Sequence, residues 1–259
     1  MRITVITACY NSASTIGDTV ESVLNQTCQD LEYVIVDGGS SDGTLDIIRH
    51  YEPEFGGRLK WISEQDQGLY DAMNKGLAMA TGDVVGFLNS DDFFNSPNVL
   101  EHVQTAFIGG AIDAVYGDVH YCDSKDKTRT VRYYTSSCFK PGMLRIGFMP
   151  PHPSFYALRS VYQGLNGFDL SLTVSADFEM FLRLILIKGI RTEYLPLDFV
   201  TMRTGGISSS GWRSWTAGFK QRSKALRKNG VKCAFLFLPM GYALKIIHFI
   251  LFKLGLLGK

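Results

Sequence analysis

The chain has 259 residues, with 26 Lys and Arg against 25 Asp and Glu, 46% hydrophobic residues and 12% aromatics. So balanced and apolar a composition excludes a disordered chain. Five scattered cysteines (Cys9, Cys28, Cys122, Cys138, Cys233) with no CxxC pair exclude a disulfide scaffold and read as reduced cytosolic thiols. The net charge of +1 hides a split. Up to Asp198, 25 acidic residues meet 15 basic ones, a net of −10, whereas residues 199–259 hold 11 Lys and Arg and no acid. That asymmetry marks a basic C-terminal segment suited to an anionic surface.

Residues 1–8 carry too short an apolar run for a signal peptide and read as a first buried strand. Ile16, Val20, Val23 and Leu24 then fall at the i, i+4, i+7, i+8 spacing of one helix face. Residues 31–37 are a β-branched run ending at Asp37, followed by the turn Gly38-Gly-Ser-Ser-Asp-Gly43 and a helix from Thr44. Residues 58–63 read as a third strand, 70–80 as a helix and 84–88 as a fourth strand. Strands and helices alternating in this way specify an α/β domain whose mostly parallel sheet is covered on both faces. Ligands of such sheets sit beyond the carboxyl ends of the strands. The polar clusters at 7–11, 37–43 and 89–92 all fall there. After residue 112 the pattern changes. Residues 114–121 and 129–134 suggest an antiparallel hairpin, 165–190 contain a helix, and 195–203 form a last strand.

Three constellations carry chemistry. The loop from Asp37 to Thr44 combines glycines, which let a backbone approach a ligand, with a strand-end carboxylate able to accept from a ribose or base. It is neither GxGxxG nor a P-loop, and Asp42 reads equally well as a helix cap. Asp91 and Asp92 follow an apolar strand, and two adjacent carboxylates repel unless a cation joins them. Such oxygen ligands suit Mg2+ or Mn2+ holding a diphosphate. Asp177 opens an amphipathic helix whose dipole favours the anion, as a general base or as a simple cap. Two further loops carry candidate residues. His152, in Pro150-Pro-His-Pro-Ser-Phe-Tyr156, could touch a second substrate or phosphate, ligate metal as a third donor, or be structural. Arg203, Gly205 and Gly206, in Arg203-Thr-Gly-Gly-Ile-Ser-Ser-Ser210, could close over a diphosphate or form a plain surface loop.

Five segments together resemble inverting family-2 glycosyltransferases with the GT-A fold, in that family's order and spacing across residues 1–210. They are Thr7-Ala-Cys-Tyr-Asn11, Val36-Asp-Gly-Gly-Ser-Ser-Asp-Gly-Thr44, Glu64-Gln-Asp-Gln-Gly-Leu-Tyr-Asp-Ala-Met-Asn-Lys-Gly76, Leu88-Asn-Ser-Asp-Asp92 and Ser175-Ala-Asp-Phe-Glu179. The likeness is to bacterial enzymes that assemble O-antigen or exopolysaccharide repeat units. It implies donor contacts from Thr7, Tyr10, Asn11, Asp37 and Asn89, and closure over the base by the segment of Asp66 and Gly68. It further implies a metal at Asp91 and Asp92, and Asp177 as catalytic base. Asn89 replaces the first Asp of the family's DXD motif, and Ala176-Asp177 replaces its usual Glu-Asp pair. The implied reaction is a single displacement. Asp177 deprotonates an acceptor hydroxyl, which attacks the anomeric carbon opposite the departing nucleotide, and Mn2+ or Mg2+ offsets the charge on the diphosphate. UDP is the default donor nucleotide. A competing reading is a non-catalytic nucleotide-sugar or glycan-binding protein of the same fold, against which the intact Asp37, Asp91, Asp92 and Asp177 weigh.

These readings divide the chain into a catalytic unit at 1–211 and a C-terminal segment at 212–259. Within the catalytic unit, 1–111 would bind donor and 112–211 acceptor. Residues 212–232 hold Trp212, Trp215, Phe219 and seven Lys or Arg, followed by apolar runs at 233–244 and 246–252. Pro239, Gly241, Lys245, His248 and Lys253 interrupt the ~20 apolar residues that a spanning helix needs, so a basic amphipathic helix lying on an anionic leaflet is expected, with a C-terminal core helix packed on the catalytic domain as the alternative. The expected setting is the cytoplasmic face of the plasma membrane, with a lipid-diphosphate-linked saccharide as acceptor. Nucleic acid is not an expected partner, because no recognition motif is present.

Overall fold

The computed structural model describes residues 1–205 and 212–231, together with positions 238, 239, 241 and 247. Its first half follows the apolar runs of the sequence. Strands β1 (Ile3–Cys9), β2 (Leu31–Asp37), β3 (Leu59–Ser63) and β4 (Val84–Phe87) lie parallel in the order β3-β2-β1-β4. β1, β2 and β4 are buried along their whole length, as continuous rather than alternating apolar runs require. Helices α1 (Ile16–Leu24) and α2 (Thr44–Tyr51) bring Ile16, Val20, Val23 and Ile48 onto the face of Val5, Tyr33 and Ile35. On the other face α3 (Leu69–Met79) lays Tyr70, Ala72 and Met73 against Ile6, Ala8, Val34 and Val36. Residues of successive parity thus feed two cores, one on each side of the sheet.

The second half is mixed. It contains β5 (Phe93–Phe94), α4 (Val99–Ile108), β6 (Ala114–Cys122), β7 (Thr130–Tyr134), β8 (Phe155–Leu158), α5 (Arg159–Tyr162), α6 (Ala176–Phe181) and β9 (Thr192–Arg203). β8 runs antiparallel to both β4 and β6, and β9 is parallel to β6. β5 closes that edge antiparallel to β9, and β7 pairs with β6 as the expected hairpin. Gly86 makes the junction of the halves possible, since a Cβ there would meet the Tyr156 ring at 2.1 Å. The helix expected within 165–190 is α6, continued by π-helical turns at Leu182–Ile187.

Helix α7 (Trp212–Lys228) lies beyond the expected division at 211, yet it packs on the domain. Ala225 and Leu226 are buried in the cluster that holds Ile6, Phe87 and Phe178, as is Leu238. The Gln221 side chain accepts the Val174 amide at 2.9 Å, and Lys228 pairs with Asp169 at 2.6 Å. No helix among the described residues is long and apolar enough to cross a membrane. Gly206 lies outside the described residues, as do the apolar runs from 233 onward except for positions 238, 239, 241 and 247.

Candidate active site

Because β1, β2 and β3 are in register, with Cys9 opposite Asp37 and Asp37 opposite Ser63, their following loops leave the sheet at one level. β4 ends beside them, with the Leu88 amide bonded to the Ile6 carbonyl. The loops at 10–15, 38–43, 64–68 and 89–92 therefore line one rim.

The first loop is locked to the second. Asn11, in the left-handed region at φ 48°, takes the Ser41 amide on its side chain, and its own amide donates to Ser40 Oγ. Tyr10 remains 64% exposed at the rim. Beside it Gly38 lets bare backbone lie against Asp66, since a Cβ there would stand 2.5 Å from Asp66 Oδ2 and displace that side chain, and 3.4 Å from the Tyr10 ring. Asp66 in turn accepts the Gly68 amide at 2.8 Å, and Lys75 ties the loop down through Glu64 and the Gln65 carbonyl. An exposed aromatic ring, bare backbone and a half-buried carboxylate thus converge.

Two expected donor contacts have other tasks. Thr7 is fully buried, with its hydroxyl given to the Leu88 carbonyl and accepting from Tyr33. Asp37 is also fully buried and serves its own loop, accepting the amides of Gly39 and Ser40 and the hydroxyls of Ser40 and Ser63. Burial opposes its ionisation, but those donors outweigh it and hold the carboxyl below the ordinary range. Both residues shape the rim from behind.

The pair at 91 and 92 is equally unsymmetrical. Asp92 is buried, with its carboxylate taking the Asn89 side-chain amide at 2.9 Å and the Arg203 backbone amide at 3.3 Å. Burial first, then the Asp91 charge, push its carboxyl well up. Asp91 is half-buried and, among the described residues, its carboxylate meets only its own backbone amide and the field of Arg203. Arg203 ends β9 with a side chain only 9% exposed. It is bonded to the Asp91 carbonyl and to Asp18 of α1, and lies over Phe93 at 5.1 Å. Rather than hanging from a lid, it clamps the 89–92 loop to α1. Gly205 follows with φ +103°.

From the second half, Asp177 stands half-buried in the first turn of α6, and its Oδ1 accepts the Phe178 amide at 2.8 Å and the Tyr70 phenol at 3.2 Å. His152 is half-buried beside aromatic rings. Its ring stacks on Phe87 at 5.3 Å and meets Phe168 edge-on, and Nε2 is buried with no partner among the described residues. Burial pushes this imidazole below its usual value against the opposing charge of Asp177.

Tyr70 and Asn74 are the site residues that sequence reasoning missed. A tyrosine on the buried face of a helix needs a partner for its hydroxyl, and that was the available signal. Among the described residues no three His, Cys, Asp or Glu side chains cluster as a metal cage. A single free carboxylate still fits Mg2+ or Mn2+, which are commonly held by one or two carboxylates plus substrate phosphates.

A sequence model of Glycosyl transferase family 2 matches residues 4–166. A "PGL/p-HBAD biosynthesis glycosyltransferase" of Mycobacterium bovis is 32% identical over 209 residues, 80% of this chain and 78% of the relative. Among solved structures, S. aureus TarS 1-349 in complex with UDP-GlcNAc superposes with a TM-score of 0.70 at 19% identity, covering 87% of this chain and 66% of that one. This chain spans only 40% of the longer TarS chain. Mannosyltransferase PcManGT from Pyrobaculum calidifontis, in complex with GDP-Man and Mn2+, gives 0.67 at 20% identity, covering 93% of this chain and 73% of that one. In sequence and in architecture the chain belongs to glycosyltransferase family 2, with the GT-A fold.

Proposed function

We propose that the protein is an inverting glycosyltransferase that moves a hexosyl or N-acetylhexosaminyl group from a UDP-sugar to a hydroxyl of a glycan acceptor. The acceptor would be carried on a lipid diphosphate, in bacterial surface polysaccharide synthesis. One observation carries the reading. The Tyr10–Gly38–Asp66 rim and the half-buried Asp177 are joined through α3, which starts at the rim loop and reaches Asp177 with Tyr70. Family membership and a UDP-GlcNAc complex of a structural neighbour support the donor class, and the GDP-Man and Mn2+ complex supports the metal.

In this reading Tyr10, Asp66, Gly68 and the backbone at Gly38 hold the nucleoside, with Asn11 and Asn89 fixing their loops. Asp91 would hold Mn2+ or Mg2+, which when bound offsets charge on the diphosphate leaving group. Arg203 keeps the Asp91 loop in place, and Asp92 serves as its buried anchor. Asp177 takes the proton of the acceptor hydroxyl as that oxygen attacks the anomeric carbon from the face opposite the nucleotide. No protein nucleophile intervenes, so the anomeric centre inverts.

The inward face of α7 closes the catalytic unit. Its outward face and the apolar runs that follow would rest on the anionic inner leaflet, with Lys220 and Arg227 exposed there. Truncation before Trp212 would remove core residues, so charge reversal is the cleaner probe. Lys220→Glu with Arg227→Glu lowers co-sedimentation with phosphatidylglycerol liposomes, and unchanged partitioning refutes the docking. For the activity, purified protein is assayed with a panel of nucleotide sugars and a lipid-diphosphate-linked monosaccharide, with and without Mn2+. Tight nucleotide-sugar binding without transfer to any acceptor supports the non-catalytic alternative.

A further inference from the structure

The two carboxylate oxygens of Asp177 have unlike surroundings. Oδ1 takes both donors, the Phe178 amide at 2.8 Å and the Tyr70 phenol at 3.2 Å. Tyr70 reaches it from α3, across the seam between the halves. Its ring is 7% exposed and stacks on Phe168 at 5.6 Å with planes 28° apart. One helical turn on, Asn74 grips the Phe168 backbone with both ends of its amide, at 3.0 and 2.6 Å. Gly167 is bare where it passes, since a Cβ there would meet Asn74 Oδ1 at 2.3 Å. The phenol is therefore fixed by packing rather than resting on Asp177 by chance. The amides of Ala176 and Asp177 face the phenol oxygen, which directs its one proton toward the carboxylate.

We propose that Tyr70 is a positioning residue for the transfer reaction: its hydroxyl pins Asp177 Oδ1, so that Oδ2 is the oxygen presented to the acceptor. Reading Asp177 as the base is the premise, and Tyr70 acts only through it. Burial, then the Asp177 charge, push the phenol well above its ordinary value, so it keeps its proton and stays a donor. A contact of 3.2 Å is long for two oxygens, and such contacts tighten when the reacting complex forms.

The other groups around Asp177 do not duplicate this task. His152, from the 3-10 turn at His152–Ser154, packs among Phe87, Phe168 and Phe181 with Nε2 buried. On α6 itself Glu179 is committed to Arg183 at 2.7 Å. From α7, Arg222 lies over the Phe178 ring at 5.2 Å and gives Nη1 to the Gly147 carbonyl. α3 also begins at the 64–68 loop, so one rigid element holds both the donor rim and the base.

The test is Tyr70→Phe, which keeps the ring and its stacking and removes only the hydroxyl. In protein labelled with carboxyl-13C aspartate, the Asp177 resonance is assigned by its loss in Asp177→Asn. Removing a hydroxyl that donates to Oδ1 should shift that resonance at constant pH, because the carboxylate loses a hydrogen bond. The variant's kcat should fall about tenfold, with donor KM and melting temperature unchanged. Should Tyr70→Phe fold poorly, 3-fluorotyrosine at position 70, a stronger donor of nearly the same shape, should shift the resonance in the opposite direction. A resonance that stays put in both proteins overturns the positioning role, as does a kcat loss with no change in the resonance. Normal turnover in Asp177→Asn sinks the base reading instead, so the two failures are separable.

Discussion

The two halves of the sheet use polar residues in opposite ways. In the parallel half, β3-β2-β1-β4, the strands are mainly apolar and, apart from the Thr4–Glu32 and Tyr33–Thr7 contacts, their polar residues emerge at strand ends, in loops that face one rim. In the mixed half, polar groups sit inside the sheet and satisfy one another. Asp118 takes the Ser136 amide and the Tyr194 and Tyr133 hydroxyls, and His120 bridges Asp198 at 2.7 Å and Thr201 at 3.0 Å. β6 carries register shifts on both sides of Asp118, where such groups are accommodated. One half has its chemistry to spare for a ligand, while the other spends it on holding irregular strands together. Asp177 is the exception in the second half, being half-buried with an oxygen not taken by either donor.

That exception makes the largest prediction. Asp177→Asn keeps the shape and both hydrogen bonds to Oδ1, but removes the proposed base. Transfer should fall by about 10²–10⁴-fold while nucleotide binding by calorimetry stays within twofold. Near-normal turnover would place the base elsewhere and erase the contrast between Asp177 and the spent carboxylates around it.

The next effect tests the parallel half where it is farthest from the rim. Glu32 is buried at the opposite end of β2 and takes the Thr4 and Thr81 hydroxyls, the Thr81 amide and the Lys60 ammonium. Burial opposes its ionisation, but Lys60, Thr4 and Thr81 outweigh it and hold the carboxyl at about 2. A carboxyl whose folded value is depressed contributes stability above its unfolded value and loses it as pH falls toward the folded one. Glu32→Gln should therefore cost up to about 3 kcal/mol in urea unfolding at pH 7, and the gap should close between about pH 5 and pH 2. A gap that is the same at pH 7 and pH 3 would show that shape rather than charge is what Glu32 supplies.

How far the sequence could be read follows the same division. Residues 31–37 announced β2 to the residue, and 114–121 with 129–134 announced the β6–β7 hairpin, because apolar runs and turn residues are local signals. β8, four residues beginning at Phe155 just after Pro153, and β5, two residues long, gave no such signal. Their pairings span long stretches of chain, as Phe93 with Thr201 and Gly86 with Tyr156 do. The site was legible as a set of loops, but not as individual contacts. Nothing local says that Thr7 and Asp37 turn inward while Tyr10 turns out, or that Arg203 meets Asp18 across 185 residues. α7 divides in the same way. Its basic residues were visible in the sequence, whereas which of its residues turn to the core, with Ala225 and Leu226 buried there, was not.

Arg203 sharpens the comparison at the seam, because it belongs to β9 yet holds the 89–92 loop of the first half. Arg203→Met keeps the stem over Phe93 and removes the bonds to Asp18 and the Asp91 carbonyl. With Asp18 partly solvated, the loss should be about 1–3 kcal/mol of stability, and less at high salt. The Mn2+ concentration for half-maximal transfer should also rise, since Asp91 loses its anchor. An unchanged metal requirement would detach Arg203 from the site and leave it a purely structural clamp.

The smallest effect separates rim from frame most cleanly. Tyr10 is 64% exposed and its ring borders Gly38, so it contributes little to the core. Tyr10→Ala should leave unfolding within about 0.5 kcal/mol, as exposed substitutions generally do. If its face receives the nucleotide base, stacking is worth about 1–3 kcal/mol, and exposure at a rim favours the low end. The expected result is a rise in UDP Kd of about five- to tenfold, with Tyr10→Phe nearly normal because the ring face is retained. A Tyr10→Phe variant as weak as Tyr10→Ala would mean that the hydroxyl, not the ring, meets the ligand. Full affinity in both would remove Tyr10 from the donor site and leave Asp66 and the Gly38 backbone to define it.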